Sequence, residues 1–230
     1  MNPKMSICIP VWEQHGVGLQ YLIDLIKSIE LQTFKDFELV ISDHSKNDNI
    51  FHYLTSLNNH YIKYKKYLAN YGNGVSNLNQ ALSLASGEII KIMFQDDFMI
   101  SPNCLEIVYD TFQNSQCNWL VCGSNHTRDG INFEREIVPS WNDGILFGNN
   151  TISSPSVLSI KNNNIDFFDE NLTMLMDVEY YYRQNLRYGM PTIIPDCLVS
   201  NRNHSNQISA RYDKNINDEI EYIKRKYDYN

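Results

Sequence analysis

Glu88-Ile89-Ile90-Lys91-Ile92-Met93-Phe94-Gln95-Asp96-Asp97 drives an apolar run straight into two adjacent carboxylates. A short apolar run of this kind reads as a buried strand over residues 88–95. Two anions side by side repel, and at a strand exit bordering a crevice they cost stability unless a cation or hydrogen-bond donors compensate. A divalent metal, Mn or Mg, does that well, because hard cations take oxygen ligands and keep positions for water and substrate phosphates. An acidic turn capping the next helix is the competing reading, and the pair alone does not separate the two.

Toward the N-terminus the pattern alternates. Met5 to Val11 reads as a strand, Leu19 to Leu31 as a helix, Phe37 to Asp43 as a strand, residues 48–57 as a short helix and Tyr61 to Tyr67 as a strand. Asn77 to Ala85 then reads as a helix stopped by Ser86-Gly87. This βαβαβαβ order predicts an α/β chain with a mostly parallel sheet and helices on both faces. Ligands of such sheets bind outside the carboxyl ends of the strands. That singles out Trp12-Glu13, Asp43-His44-Ser45, Leu68 to Gly74 and Asp96-Asp97.

Toward the C-terminus the pattern loosens. A helix is expected over 104–114, strands over 119–124 and 133–138, a Gly/Asn/Ser-rich stretch over 142–155, a helix from Asp177 to Tyr188 and a strand over 192–200. Ile216, Ile220, Ile223 and Tyr227 share one stripe of a final amphipathic helix within 213–230. The stripe is expected to pack on the domain or, in a homodimer, on a second subunit; peripheral membrane contact is the less favoured use.

With 230 residues and 43% hydrophobic content the chain builds a real core, and residues 1–212 are expected to form one domain. A net charge of −8 has the wrong sign for neutralising nucleic-acid phosphates, so no nucleic-acid partner is expected. It also means that a diphosphate ligand would need a metal. The start MNPKMSICIPVW lacks signal-peptide character and no apolar run is long enough to span a bilayer, so a cytoplasmic location is expected. Cys8, Cys104, Cys117, Cys122 and Cys197 form no CxxC pair and read as reduced core residues. Gly16-Val17-Gly18 follows the first strand as a dinucleotide fingerprint would, but Tyr21 occupies the place of the third glycine, and that reading fails.

Taken in order, several segments resemble the family-two glycosyltransferases, which have the GT-A fold. Met5-Ser6-Ile7-Cys8-Ile9-Pro10-Val11-Trp12-Glu13 is similar to the opening strand of that family, and Glu38-Leu39-Val40-Ile41-Ser42-Asp43-His44-Ser45 to its second. Asn73-Gly74-Val75-Ser76-Asn77-Leu78-Asn79, Phe94-Gln95-Asp96-Asp97, Ser153-Ser154-Pro155-Ser156-Val157, Phe168-Asp169-Glu170-Asn171-Leu172 and Asp177-Val178-Glu179-Tyr180 follow in the family's order. Departures are Ser42 and Phe94 where acids are usual, His44 for a glycine, and Met176 where an acid usually precedes the catalytic one.

The resemblance implies an inverting transferase that moves a sugar from a nucleotide-diphosphate donor, UDP-linked by preference, to a hydroxyl of a glycan or lipid-linked saccharide. Residues 1–100 would form the donor half and 101–212 the acceptor half. Asp177 is implied as general base, at a helix start where the dipole favours a carboxylate. Asp97 is the implied metal ligand, with His204 of the 201–209 loop joining it, and Asp96 reaching the ribose or sharing the metal. Arg202 and Arg211 flank His204 as candidate diphosphate clamps, since guanidinium forks match phosphate oxygens. Pro10, Trp12, Glu13 and Asp43 would surround the base, with Asn73, Asn79 and Gln95 adding polar contacts. Trp141 and residues 142–150 would border the acceptor. A catalytically silent module that binds nucleotide or glycan is the alternative, motivated by Phe94 and Met176.

Overall fold

A computed structural model describes residues 2–163, 165–205, 207 and 216–229. The N-terminal half forms β1 (Met5–Val11), α1 (Gly18–Glu30), β2 (Phe37–Asp43), α2 (Asn49–Ser56), β3 (Ile62–Lys66), α3 (Gly74–Ser83) and β4 (Ile89–Ile92). After it come β5 (Phe98–Met99), α4 (Cys104–Asn114), β6 (Trp119–Thr127), β7 (Phe133–Ile137), β8 (Leu158–Lys161), α5 (Met176–Tyr188), β9 (Thr192–Arg202) and α6 (Ile216–Lys226). The nine strands form one sheet in the order β3-β2-β1-β4-β8-β6-β9-β5, with β7 added to β6.

Strands β3, β2, β1 and β4 are parallel neighbours, as right-handed helical crossovers require. The apolar residues of β1 and β2 are buried on both faces, which is why their sequences read as near-continuous hydrophobic runs. β8 enters antiparallel between β4 and β6, making the sheet mixed. Neither β8 nor the two-residue β5 is visible as a periodic run in the sequence.

Several boundaries differ from expectation: β6 runs on to Thr127 and β9 to Arg202, and two others shift for reasons visible in the hydrogen bonds. α3 begins at Gly74, not Asn77, because the Asn73 side chain accepts from the N–H groups of Val75 and Ser76 and so caps the helix earlier. β4 stops at Ile92 rather than continuing to Gln95. Met93 N–H still reaches the Cys8 carbonyl of β1, but Phe94 N–H donates to Ser156 Oγ, and the chain turns with Asp97 N–H on the Phe94 carbonyl.

The apolar stripe of α6 packs on its own chain: Ile223 is fully buried, and Ile216, Ile220 and Tyr227 lie against the core. Polar contacts add to this. Lys226 and Tyr227 reach the buried Glu179 of α5, and Tyr222 donates to Asp169. The five cysteines are free. No helix among the described residues is long and apolar enough to cross a membrane.

Gly87, in the turn into β4, shows how closely β1 is approached. A Cβ there would lie 2.7 Å from the Met5 carbonyl carbon and from the Ser6 nitrogen, both rigid backbone atoms. Gly87→Ala is therefore expected to cost roughly 1–3 kcal/mol, read as a lower urea midpoint at unchanged slope.

Candidate active site

The carboxyl ends of β1 and β4 and the end of β9 converge on the acidic pair. Asp97 is 4% exposed. Its Oδ2 accepts from Asn201 Nδ2 at 2.9 Å, and its Oδ1 from the Arg202 N–H at 3.1 Å. Burial first, and the neighbouring Asp96 second, push its carboxyl well above the ordinary range. Asp96 is more open, and its Oδ2 lies 2.8 Å from His204 Nε2. His204 also faces Tyr21, with ring centroids 5.1 Å apart. The structure thus brings Asp96, Asp97 and His204 to one place, from β4 and from the segment after β9.

Gln95 braces this corner from inside. Its Oε1 accepts from Trp12 N–H, and its Nε2 donates to the Trp12 carbonyl and to Gln14 Oε1, so both ends of its amide are spent on the exit of β1. Trp12 meets His15 edge-on at 5.3 Å, and Glu13 Oε2 accepts from Lys46 N–H. Pro10 lies in β1 opposite Ser42 of β2.

Asp43 is fully buried, with Oδ1 accepting from Ser45 N–H at 2.7 Å and Oδ2 from the Tyr64 hydroxyl at 2.8 Å. Its carboxylate holds the β2 exit against β3 and leaves no exposed atom for a base. Asn73 caps α3, and Asn79 holds residue 168 through both amide atoms, accepting from the Phe168 N–H and donating to its carbonyl. The Arg202 guanidinium is 8% exposed as a residue, donating to Asp24 and the Asp96 carbonyl and lying over the Tyr21 ring at 4.7 Å. It braces α1 against β4 and does not stand open toward a diphosphate. Arg211 lies outside the described residues.

Asp177 sits in the first turn of α5. Its Oδ1 accepts from Val178 N–H and its Oδ2 from Asn150 Nδ2, both at 2.8 Å. The residue keeps some exposed surface, but its carboxyl lies deep among protein atoms. Desolvation lifts it to about 7, against the Val178 N–H and Asn150, which lower it.

A run of hydrogen bonds joins Asp177 to Asp97. Asn150 holds Ser153 through its backbone on both sides, Ser153 Oγ donates to Asn201 Oδ1 at 3.2 Å, and Asn201 Nδ2 reaches Asp97. Ser153 is held at φ 113°, a conformation that a residue with a Cβ keeps only when its surroundings enforce it. Ser124, Tyr181, Asn150 and Asn201 all bond to it. Asn150 belongs to the 142–150 stretch expected beside the acceptor, while Ser153 and Asn201 lie in segments matched to the family without a role of their own. The available signal was polarity in the wrong place, since Ser200-Asn201-Arg202 directly follows the buried Leu198 and Val199 at the end of a strand.

Residues 6–209 match the model of glycosyl transferase family 2. The chain belongs to that family. Over 102 residues this family-2 chain is 33% identical to the GalNAc(5)-diNAcBac-PP-undecaprenol beta-1,3-glucosyltransferase of Campylobacter jejuni, a stretch that covers 43% of this chain and 31% of that protein. It superposes on S. aureus TarS (residues 1–349) with TM-score 0.68 at 19% identity, over 86% of this chain and 60% of that one. It superposes on the mannosyltransferase PcManGT of Pyrobaculum calidifontis, in complex with GDP-Man and Mn2+, with TM-score 0.67 at 12% identity, over 92% of this chain and 60% of that one. At these identities the solved structures share the fold, which is GT-A. The family-2 chain spans about a third of the curated relative's length.

The raised Asp177 makes a stability prediction. A carboxyl whose folded value lies above its ordinary 3.8 contributes stability that is complete below that value and lost as pH rises toward about 7. Asp177→Asn removes the charge at nearly constant size, its one amide oxygen accepting from Val178 N–H or Asn150 in place of both. Relative to wild type its melting temperature should rise by roughly 2–6 °C between pH 4 and pH 8. A gap independent of pH would show that the carboxyl is not desolvated.

Proposed function

We propose that the chain transfers a sugar from a nucleotide-diphosphate donor, UDP-linked by preference, to a hydroxyl of a glycan or lipid-linked saccharide, with inversion at the anomeric carbon and Asp177 as general base. The observation that carries this reading is the hydrogen-bonded run from Asp97 through Asn201, Ser153 and Asn150 to Asp177, which ties an acidic corner to a separate carboxylate raised to about 7. A base poised near neutral pH is what proton removal from a hydroxyl requires. TarS, a fold neighbour, has been solved with UDP and with UDP-GlcNAc.

In the transfer the acceptor hydroxyl gives its proton to Asp177 as its oxygen bonds to the anomeric carbon. The bond from that carbon to the phosphate oxygen breaks on the opposite face, and the electron pair leaves with the nucleoside diphosphate. Asn150 orients the Asp177 carboxylate by its hydrogen bond, and the 142–150 stretch beside it is where the acceptor is expected. Asn201 and the Arg202 N–H fix Asp97 toward the opposite end of the site.

A divalent cation at the acidic corner is part of this reading. Among the described residues no group of three or more His, Cys, Asp or Glu side chains is arranged to hold a metal ion by itself. Asp96 lies 2.8 Å from His204 and adjoins Asp97, so a cation there would draw its remaining ligands from phosphate oxygens and water. Asp97 and His204 would hold the metal, with Asp96 sharing it. Bound there, Mn or Mg would act as a Lewis acid on the leaving diphosphate. PcManGT with Mn2+ is consistent with that set.

Asp177→Asn should lower turnover of the accepted nucleotide sugar by at least ~10³-fold while calorimetry shows donor binding within about threefold of wild type. Undiminished turnover in that variant would remove Asp177 from the mechanism. Nucleotide binding by the wild type with no turnover on a panel of UDP- and GDP-sugars would instead favour a silent binding module.

A further inference from the structure

α6 makes a contact that its apolar stripe does not require. Glu219 is 8% exposed and points its carboxylate at the backbone leading into α5. Oε1 accepts from Thr173 N–H at 2.9 Å and Met174 N–H at 3.1 Å, and Oε2 from Met174 N–H at 3.0 Å and Leu175 N–H at 2.8 Å. Leu175 is the cap residue of α5, and it makes no capping bond with its own side chain. A helix start leaves N–H groups without partners and carries a partial positive charge. Here a carboxylate borrowed from a different helix answers both, two residues before Asp177.

The contact is built rather than incidental. Ile223, one turn further along α6, is fully buried. Lys226 Nζ lies 2.8 Å from Glu179 Oε1, and Ile216, the first residue of α6, lies against the core. α6 is thereby pinned on both sides of Glu219.

We propose that Glu219 is a positioning residue for Asp177: by collecting the N–H groups of Thr173, Met174 and Leu175 it fixes where α5 begins. The proposal rests on Asp177 acting as the base. The groups facing Asp177 are Asn150 from the 142–150 stretch, the Val178 N–H and Tyr181 from α5 itself, and Glu219 from α6. Among them Glu219 is the charged one, and its charge raises the Asp177 carboxyl.

The sign follows. A general base works only when deprotonated, so the acid limb of the kcat profile tracks Asp177. Removing the Glu219 charge lowers that carboxyl, and the limb moves to lower pH.

The test compares Glu219→Gln, Glu219→Asp and Tyr222→Phe in the full chain, using kcat and donor KM against pH with the accepted nucleotide sugar. Glu219→Gln should lower kcat about tenfold with donor KM unchanged and shift the acid limb to lower pH. Glu219→Asp keeps the charge on a shorter arm, so kcat should fall with the limb in place. Tyr222→Phe loosens α6 elsewhere and should leave both unchanged. A Glu219→Gln profile with wild-type kcat, or with reduced activity and an unmoved limb, would overturn the proposal. If Glu219→Gln does not fold, wild-type kcat in Glu219→Asp overturns it. Failure of the underlying reading shows separately, as retained turnover in Asp177→Asn.

Discussion

A carboxylate buried at the end of β4 has to be held by something, and in this chain the end of β9 does it. Asn201 and the Arg202 N–H both donate to Asp97, so the last residues of a strand far along the sequence complete the exit of the fourth. Unpaired buried acids are costly, and hydrogen-bond donors reduce that cost without supplying a charge. The residual strain shows in the raised Asp97 carboxyl. It is the condition under which a cation would be welcome there.

That constraint explains the rest of the corner. Asn201 can serve Asp97 only if Ser153 accepts the job of orienting it, and Ser153 does so from a backbone conformation that four neighbours enforce. β8 follows directly after this segment and fills the gap between β4 and β6. Inserting it antiparallel brings Ser156 beside the exit of β4, where its hydroxyl accepts the Phe94 N–H and ends the strand. Phe94, at a position where an acid is usual in the family, thus has its backbone role met independently of its side chain.

What was legible in the sequence was what repeats. The parallel strands and their helices are long apolar runs with a clear period, and Met5–Val11 and Phe37–Asp43 lie where the pattern puts them. β5 and β8 have two and four residues, too few for a period to show. The motif residues of the site were legible as positions but not as directions. Asp43 and Arg202 lie near the strand exits expected of them, yet their side chains turn inward, to Ser45 and Tyr64 in one case and to Asp24 and the Asp96 carbonyl in the other. A strand's alternation tells which face a residue takes; it does not tell which neighbour across the sheet will claim its side chain. Ser153 and Asn201 escaped for the same reason, being ordinary polar residues until the fold places them between two acids.

Asp177 and Glu179 make the point within one turn of α5. Both are acids in the first turn of the same helix, and local sequence treats them alike. Burial pushes both carboxyls upward, but Glu179 meets Arg183, Lys226 and Tyr227, which together hold it below its ordinary value. Asp177 meets an amide, backbone N–H groups and the negative charge of Glu219, and stays raised at about 7. Two carboxylates whose surroundings drive them apart are fitted to different work. One is locked as an anion that fastens α6 to the domain, and the other is left able to exchange a proton near neutral pH. The division is made first by Arg183, one turn further along α5, and then by Lys226 and Tyr227, nearly fifty positions on, so the state of Glu179 depends in part on the segment that ends the described structure.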